Sequence, residues 1–467
     1  MVQLVPHGVG GTTASIWVGV YGSAARPPEA ALSAAGRTWV APQTAWTVVD
    51  AGGWLPAARQ TVWTQTVDLD GLAPGTAYTV TCAIQGQRAA CRVTTLPDAL
   101  PREPDRPFTI LLGSCFAWFQ DEEGLAGVSV SRLPGLFQPD LKIFCGDQVY
   151  LDNPWYEVLP QDRGGLAARL FDKYMKTWTQ GDGQGGFSAL LANGGTVFLA
   201  DDHEFWNNHP NWSPLVFFRG AEKRDEWIRI ATALFRSFQA TPGRRLEAAQ
   251  RFTVGPVEFY TVDTRFGRQP GDEAFMDPGE LRDLLDWLEQ GAVDRPGVLI
   301  LGAPIFTQAA SWFSSKFVDH SLANYRQFAP LAEAILHSRR SLLVLAGDVH
   351  YGRAATARLP SGASLVELIS SPLALVDKSV GGDFHEAPPL FPAEAAGLPR
   401  VEVETLQWDG WSGPEKGLWE DQFLTLGFTE TDQAVRVHAT LWQIHRRPPY
   451  GPIQRGRREF TLPRRTA

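Results

Sequence analysis

The sequence predicts an α/β protein, with a sheet flanked by helices, preceded by a small β-sandwich. Three observations carry this expectation. Residues up to about 98 hold alternating apolar and polar segments of strand length. From Phe108 to about Lys378, apolar strand-like runs alternate with stretches of helical spacing, the mark of an α/β domain with a largely parallel sheet. Four of those runs break on residues that favour metals: FTILLGSC at Cys115, LKIFCGDQVY at Asp147 and Tyr150, TVFLADDHE at Asp201, Asp202 and His203, and LLVLAGDVH at Asp348 and His350.

In the first part, TASIWVGV, QTVWTQTVDL and AYTVTCAI read as strands, with turns at Ala73-Pro74-Gly75 and Gln85-Gly86-Gln87. The stretch LDGLAPGTAYTVTCAIQGQRAACRVTTLP resembles the last strands of a fibronectin III-like sandwich. Cys82 and Cys91 flank the same hairpin: in an oxidising compartment they could be bridged across it, and without an export signal they read first as small buried hydrophobes. The expected division is a β-sandwich domain at 1–98, the Pro-rich link DALPREPDRP, and a catalytic domain over 99–467.

Helical spacing marks Arg163 to Thr179, Glu222 to Gln239, Glu280 to Gln290 and Ala329 to Arg339. VEFYTVDTRF and GVLILGAPIF are further strands. From about residue 398 the chain is strand-rich again, and this tail either pairs with the catalytic sheet or covers it.

At 467 residues the chain exceeds a single hydrophobic core. A net charge of -9 argues against a general nucleic-acid or anionic-membrane binder, though bound cations can reverse the field of an acidic site. No run reaches the roughly 18 apolar residues of a membrane span. No basic start or apolar leader opens the sequence, so a cytoplasmic location is the default; a removed leader would make the protein secreted.

In open α/β sheets ligands bind beyond the carboxyl ends of the strands. Cys115, Asp147, Tyr150 and His350 delivered there would offer sulfur, oxygen and nitrogen donors suited to iron. A second site sharing Asp147 and adding Asp202 and Asp348, with Asp201 or Asn208, suits calcium, manganese or magnesium, and zinc less.

Taken in order, GSC, GDQVY, DDHE followed by Asn207-Asn208, VDTR and AGDVH resemble the PhoD-like alkaline phosphatases of the calcineurin-like metallophosphoesterase superfamily. The resemblance spans roughly residues 108–378. It implies a metallophosphoesterase-type sheet sandwich and a metal-dependent phosphoric ester hydrolase acting on small phosphomonoesters or phosphodiesters. Iron (Fe3+) would sit on Cys115, Asp147, Tyr150 and His350. A second divalent metal, calcium first, would sit on Asp147, Asp348 and members of Asp201, Asp202 and Asn208. His203, partnered by Asp202 or Glu204, would protonate the leaving oxygen, with Arg229 and, more weakly, Arg265 gripping phosphate. The alternatives are a phosphodiesterase or phospholipase D-type activity at the same site, or a binding protein with a relic phosphatase domain.

Two departures stand out. The family often has an acid directly after the tyrosine, where this chain has Leu151 and then Asp152, which puts a supporting role there in question. Family members are commonly exported, whereas no leader is seen here. His209 reads as a turn residue, Asp263 as a turn brace or a substrate contact, and Trp118, Phe119, Trp155, Trp206 and Trp212 as core or wall.

Overall fold

The period-two segments at the amino terminus become two antiparallel sheets of four strands. One holds Val2–Val9, Ala14–Tyr21, Val62–Leu69 and Thr47–Val48; the other holds Arg37–Ala41, Ala30–Ala34, Ala77–Ile84 and Gln87–Thr94. This computed structural model describes residues 1–464 apart from 155, 184, 212–219, 242, 310–319, 376–383, 395–396, 414 and 449. Inward side chains of both sheets, among them Ile16, Val18, Leu32, Val80 and Val93, close on a common core. Cys82 lies opposite Ala89 and Cys91 opposite Val80, and both are free, buried thiols. The sandwich is docked on the rest: Trp17 Nε1 donates to Ser237 O at 2.8 Å, and the Arg92 amide donates to Ala192 O at 2.8 Å.

The second part is the sheet sandwich flanked by helices that the resemblance implied: two mixed sheets packed face to face, where strand alternation alone suggested one largely parallel sheet. The first runs Gly195–Leu199, Leu141–Cys145, Phe108–Gly113, Gln422–Glu430, Ala434–His445, Gly451–Pro463. Its first three strands are parallel and the rest antiparallel, so the strand-rich tail pairs with the catalytic sheet, Leu424 opposite Leu112. The second sheet has eight strands, with Val257–Thr261, Gly297–Ile300, Leu342–Ala346 and Ser364–Ile369 parallel at its centre.

Alternation explains the layering. Leu112, Ile143 and Val197 point between the sheets against Ile300, Leu343, Leu345 and Leu368. Their neighbours Leu111, Phe144 and Phe198 point outward under the helices Arg163–Trp178 and Gly220–Phe238. Leu299 and Val344 pack under Pro278–Gln290 and Phe328–His337 on the far face. Every central strand is therefore buried on both sides and reads as a continuous apolar run. The four helices marked in the sequence start and stop within two residues of expectation, while Leu125–Ser131 and Gly186–Leu191 were not anticipated; Asp162 and Asp277 cap two of the four by accepting N–H bonds from the first turn.

Candidate metal centre

The carboxyl ends of parallel strands from both sheets meet at one place. Phe108–Gly113 leads to Cys115, Leu141–Cys145 to Asp147 and Tyr150, Gly195–Leu199 to Asp201 and Asp202, and Leu342–Ala346 to Asp348 and His350. Donor atoms of Cys115, Asp147 and His350 lie within 4.8 Å of one another, as do those of Asp147, Asp202 and His203, and those of Asp147, Asp201, Asp202 and Asp348. Asp147 belongs to all three groups.

The turns that hold these side chains are strained. Nine described residues other than glycine have positive φ, and five are at this place: Cys115 (57°), Asp147 (59°), Asn208 (65°), Asp348 (71°) and His350 (57°). Such backbone costs of order 1–3 kcal/mol per residue and persists where the surroundings over-determine it. Gly146 is needed before Asp147, because its φ is +94° and a Cβ there would stand 2.3 Å from Asp201 Cβ.

Asp147 is held from several sides. Its Oδ2 lies 3.6 Å from Cys115 Sγ and 3.5 Å from the Tyr150 hydroxyl, and its Oδ1 accepts the His203 amide N–H at 3.1 Å. Cys115 Sγ also accepts from Ser371 Oγ at 3.2 Å, and Ser371 Oγ accepts the His350 amide at 3.1 Å. Tyr150 and His203 stack with ring centroids 4.2 Å apart.

The partner expected for His203 is corrected. Neither Asp202 nor Glu204 takes its ring; Nδ1 bonds Asp152 Oδ1 at 2.7 Å, while Asp152 Oδ2 accepts the Asn207 amide at 2.7 Å. Asp152, two residues after Tyr150, is the acid that reaches the ring. Glu204 does something else. Its buried carboxylate accepts the amides of Asp147 (2.9 Å), Gln148 (2.7 Å), Val149 (3.2 Å) and Asp201 (2.9 Å), tying the two acid-bearing turns together.

The two arginines part company. Arg265 is buried, bonds Asp201 Oδ1 through Nε and His209 O through Nη1 at 2.8 Å, and approaches Asp202 Oδ1 at 3.8 Å. It braces the second-site acids rather than standing open to a ligand. Arg229 is not brought to the cluster. Its guanidinium lies 4.5 Å over the ring of Trp54, against Gly52 and Gly53 of the sandwich. Helical periodicity had placed it on a helix without showing that the sandwich covers that face. Asn208 does reach the cluster, donating its amide to Asp202 Oδ2 and accepting the His320 amide at 3.3 Å on Oδ1. Asp263 braces its turn by accepting the Arg265 and Phe266 amides, and His209 stacks on Phe205 at 4.1 Å. Trp206 is core, whereas Trp155 and Trp212 lie outside the described residues.

Burial and mutual repulsion shape the acids. Burial, with Cys115 and Asp202 beside it, raises Asp147 well above the carboxylate range. Burial pushes the Cys115 thiol up to about 12 and Glu204 up to about 7. Burial alone would lower His203, yet Asp152, Asp202 and Asp147 outweigh it and hold the imidazolium well above its usual range. Four carboxylates meeting so closely, three of them buried, call for positive charge, and Asp201 Oδ2 is buried with no hydrogen-bond donor among the described residues. The donors present fit cations: thiol, phenol and imidazole around one side of Asp147, carboxylates around the other.

The sign of the pH dependence follows. Acids raised in the folded state hold protons more tightly folded than unfolded, so stability they contribute is present at low pH and lost as pH rises through the folded value. His203, also raised, acts in the same direction. The metal-free protein is therefore expected to melt at a lower temperature at pH 8 than at pH 5.5, and added divalent cation should shrink that gap. Calorimetry of chelated and reloaded protein checks it; a metal-free melting temperature that climbs across this window would contradict the electrostatics.

Two sheets packed face to face thus carry a cluster of acids, histidines and a thiol at the carboxyl ends of their parallel strands. The chain has a PhoD-like fold. The solved structure of PhoD superposes with a TM-score of 0.66 at 13% identity, covering 99% of this chain and 90% of that one. A purple acid phosphatase from yellow lupin (Lupinus luteus) seeds matches with a TM-score of 0.55 at 10% identity, covering 94% of this chain and 71% of that one. No protein-family model and no curated sequence matches the chain.

Proposed function

We propose that the chain is a metal-dependent phosphoric ester hydrolase for phosphomonoesters, phosphodiesters or both. The observation that supports it best is Asp147, common to three donor groups and flanked by His203. Cys115, Asp147, Tyr150 and His350 would hold iron. Asp147, Asp202 and Asp348, with Asn208, would hold a divalent cation, calcium before manganese, magnesium or zinc. Cations bound there would lower the pKa of water toward about 7 and draw off the charge of a phosphate.

The chain's own residues supply the rest. Asp152 engages Nδ1 of His203, so Nε2 is the atom that can hand a proton to the departing alkoxide. Arg265 fixes Asp201, and Glu204 fixes the turn carrying Asp147, so the ligands need little rearrangement. Trp206 and Phe205, buried behind the DDHE turn, keep water from its far side.

Metal analysis and visible spectroscopy of purified protein, beside a panel of chromogenic mono- and diesters, test this reading. Tyrosinate or thiolate on ferric iron should give colour, and the panel should show which ester class turns over. Colourless protein that stays inert after reconstitution with iron, calcium, manganese or zinc would favour a binding role instead. Asp152→Asn keeps the acceptor for Asn207 and removes the charge beside His203. Its kcat should fall about 10–100-fold with metal content unchanged; an unaltered kcat would detach His203 from the chemistry.

A further inference from the structure

Beside the cluster, on the Asn208 side, lies a patch of buried donors left unsatisfied by the described residues. The turn braced by Asp263 sends Arg265 and then Arg268 inward. Arg268 is 5% exposed, and its Nε donates to Thr264 O at 2.8 Å. Among the described residues its Nη1 and Nη2 have no hydrogen-bond partner, and the same holds for Thr264 Oγ1, while Arg265 Nη2 has only the 3.8 Å approach to Asp202 Oδ1. The Arg268 guanidinium lies 5.1 Å from the Tyr325 ring centroid, which supports its plane and leaves the fork of nitrogens at its edge unpaired.

Half-buried groups stand around this arginine. The His320 ring bonds Asn211 and meets Tyr325 edge-on at 6.1 Å, and the charge of Arg268 bears on His320. The backbone N–H of the same His320 donates to Asn208 Oδ1 at 3.3 Å, which joins the patch to the centre. A buried guanidinium with two free nitrogens is costly unless an anion takes the fork, and a forked pair suits a carboxylate or phosphate.

We propose that Arg268 is the floor of an anion subsite beside the metal centre, with Asn211 and His320 at its wall, which takes a second negative group of the substrate. The preferred esters are then doubly anionic, a phosphate ester carrying a carboxylate or a further phosphate. This rests on the hydrolase reading for its substrate, though the subsite can be measured without any turnover.

Non-hydrolysable phosphonates provide the test on the metal-loaded full chain. Propylphosphonate, carboxyethylphosphonate and ethylenediphosphonate share one anionic end and differ at the other. By calorimetry the two with charged tails should bind wild type about 10–100-fold more tightly than propylphosphonate. Arg268→Gln should erase that preference while leaving propylphosphonate affinity within about twofold, and Arg268→Lys should keep part of it. Comparing the two charged probes tells a carboxylate tail from a phosphate one. Equal affinity of wild type for all three overturns the proposal, whether or not the variants fold. So does an equal loss for all three probes in folded Arg268→Gln, the mark of a structural role. A preference found in protein that hydrolyses no ester would keep the subsite and discard the hydrolase.

Discussion

Asp147→Asn should lower turnover on any accepted ester by on the order of 10³-fold or more. The side chain is the one donor shared by the iron-suited and the oxygen-rich groups, so its loss weakens both sets of ligands at once. Metal analysis of the variant should show both occupancies reduced. Stability should move the other way. In metal-free protein Asp147 is a buried acid crowded by Cys115 and Asp202, and an amide of the same shape relieves that repulsion. The metal-free variant should therefore melt no lower than metal-free wild type. A variant that keeps near-normal rates, or one that unfolds without metal, would dismantle the role proposed for Asp147 as the shared donor.

Glu204→Ala has the largest expected effect on folding. Four amides, from the turn after Leu141–Cys145 and the turn after Gly195–Leu199, converge on one buried carboxylate. Each buried donor left unpaired costs about 1–3 kcal/mol, partly recovered by water entering the space, so a loss of about 3–5 kcal/mol is expected. Glu204→Gln should fall between, since its single oxygen can serve only some of the amides and its –NH2 opposes the others. Denaturant unfolding of metal-loaded protein measures both. A cost below about 1 kcal/mol for the alanine variant would mean that the two turns hold their shape unaided.

The places where donor side chains converge were legible because a buried strand must be apolar to its end, so an acid or thiol there stands out. The same logic would have found Ser371, just past Ser364–Ile369, whose hydroxyl supports both Cys115 and His350. The division into two sheets came with the family resemblance and not from the strand pattern. Runs such as ILLG and LLVLA are covered on both faces in either arrangement, and apolar content does not say which strand lies beside which. The partner of Phe108–Gly113 comes from Gln422–Glu430, a pairing with no local signal. Arg229 failed for a related reason, since spacing assigns a helix face but not the neighbour that covers it. Asp152 and Glu204 were visible as acids near the site, yet only the folded turns show which one reaches an imidazole and which one gathers amides.

The late pairing has a consequence for how the polypeptide is made. Phe108–Gly113 lies at the middle of its sheet, and one of its flanks is filled only by residues 424–428. On the ribosome that flank stays an open, sticky edge while most of the chain is still being translated. Nascent protein stalled or cut before residue 422 should thus be prey for chaperones and proteases, however complete its set of ligands already is.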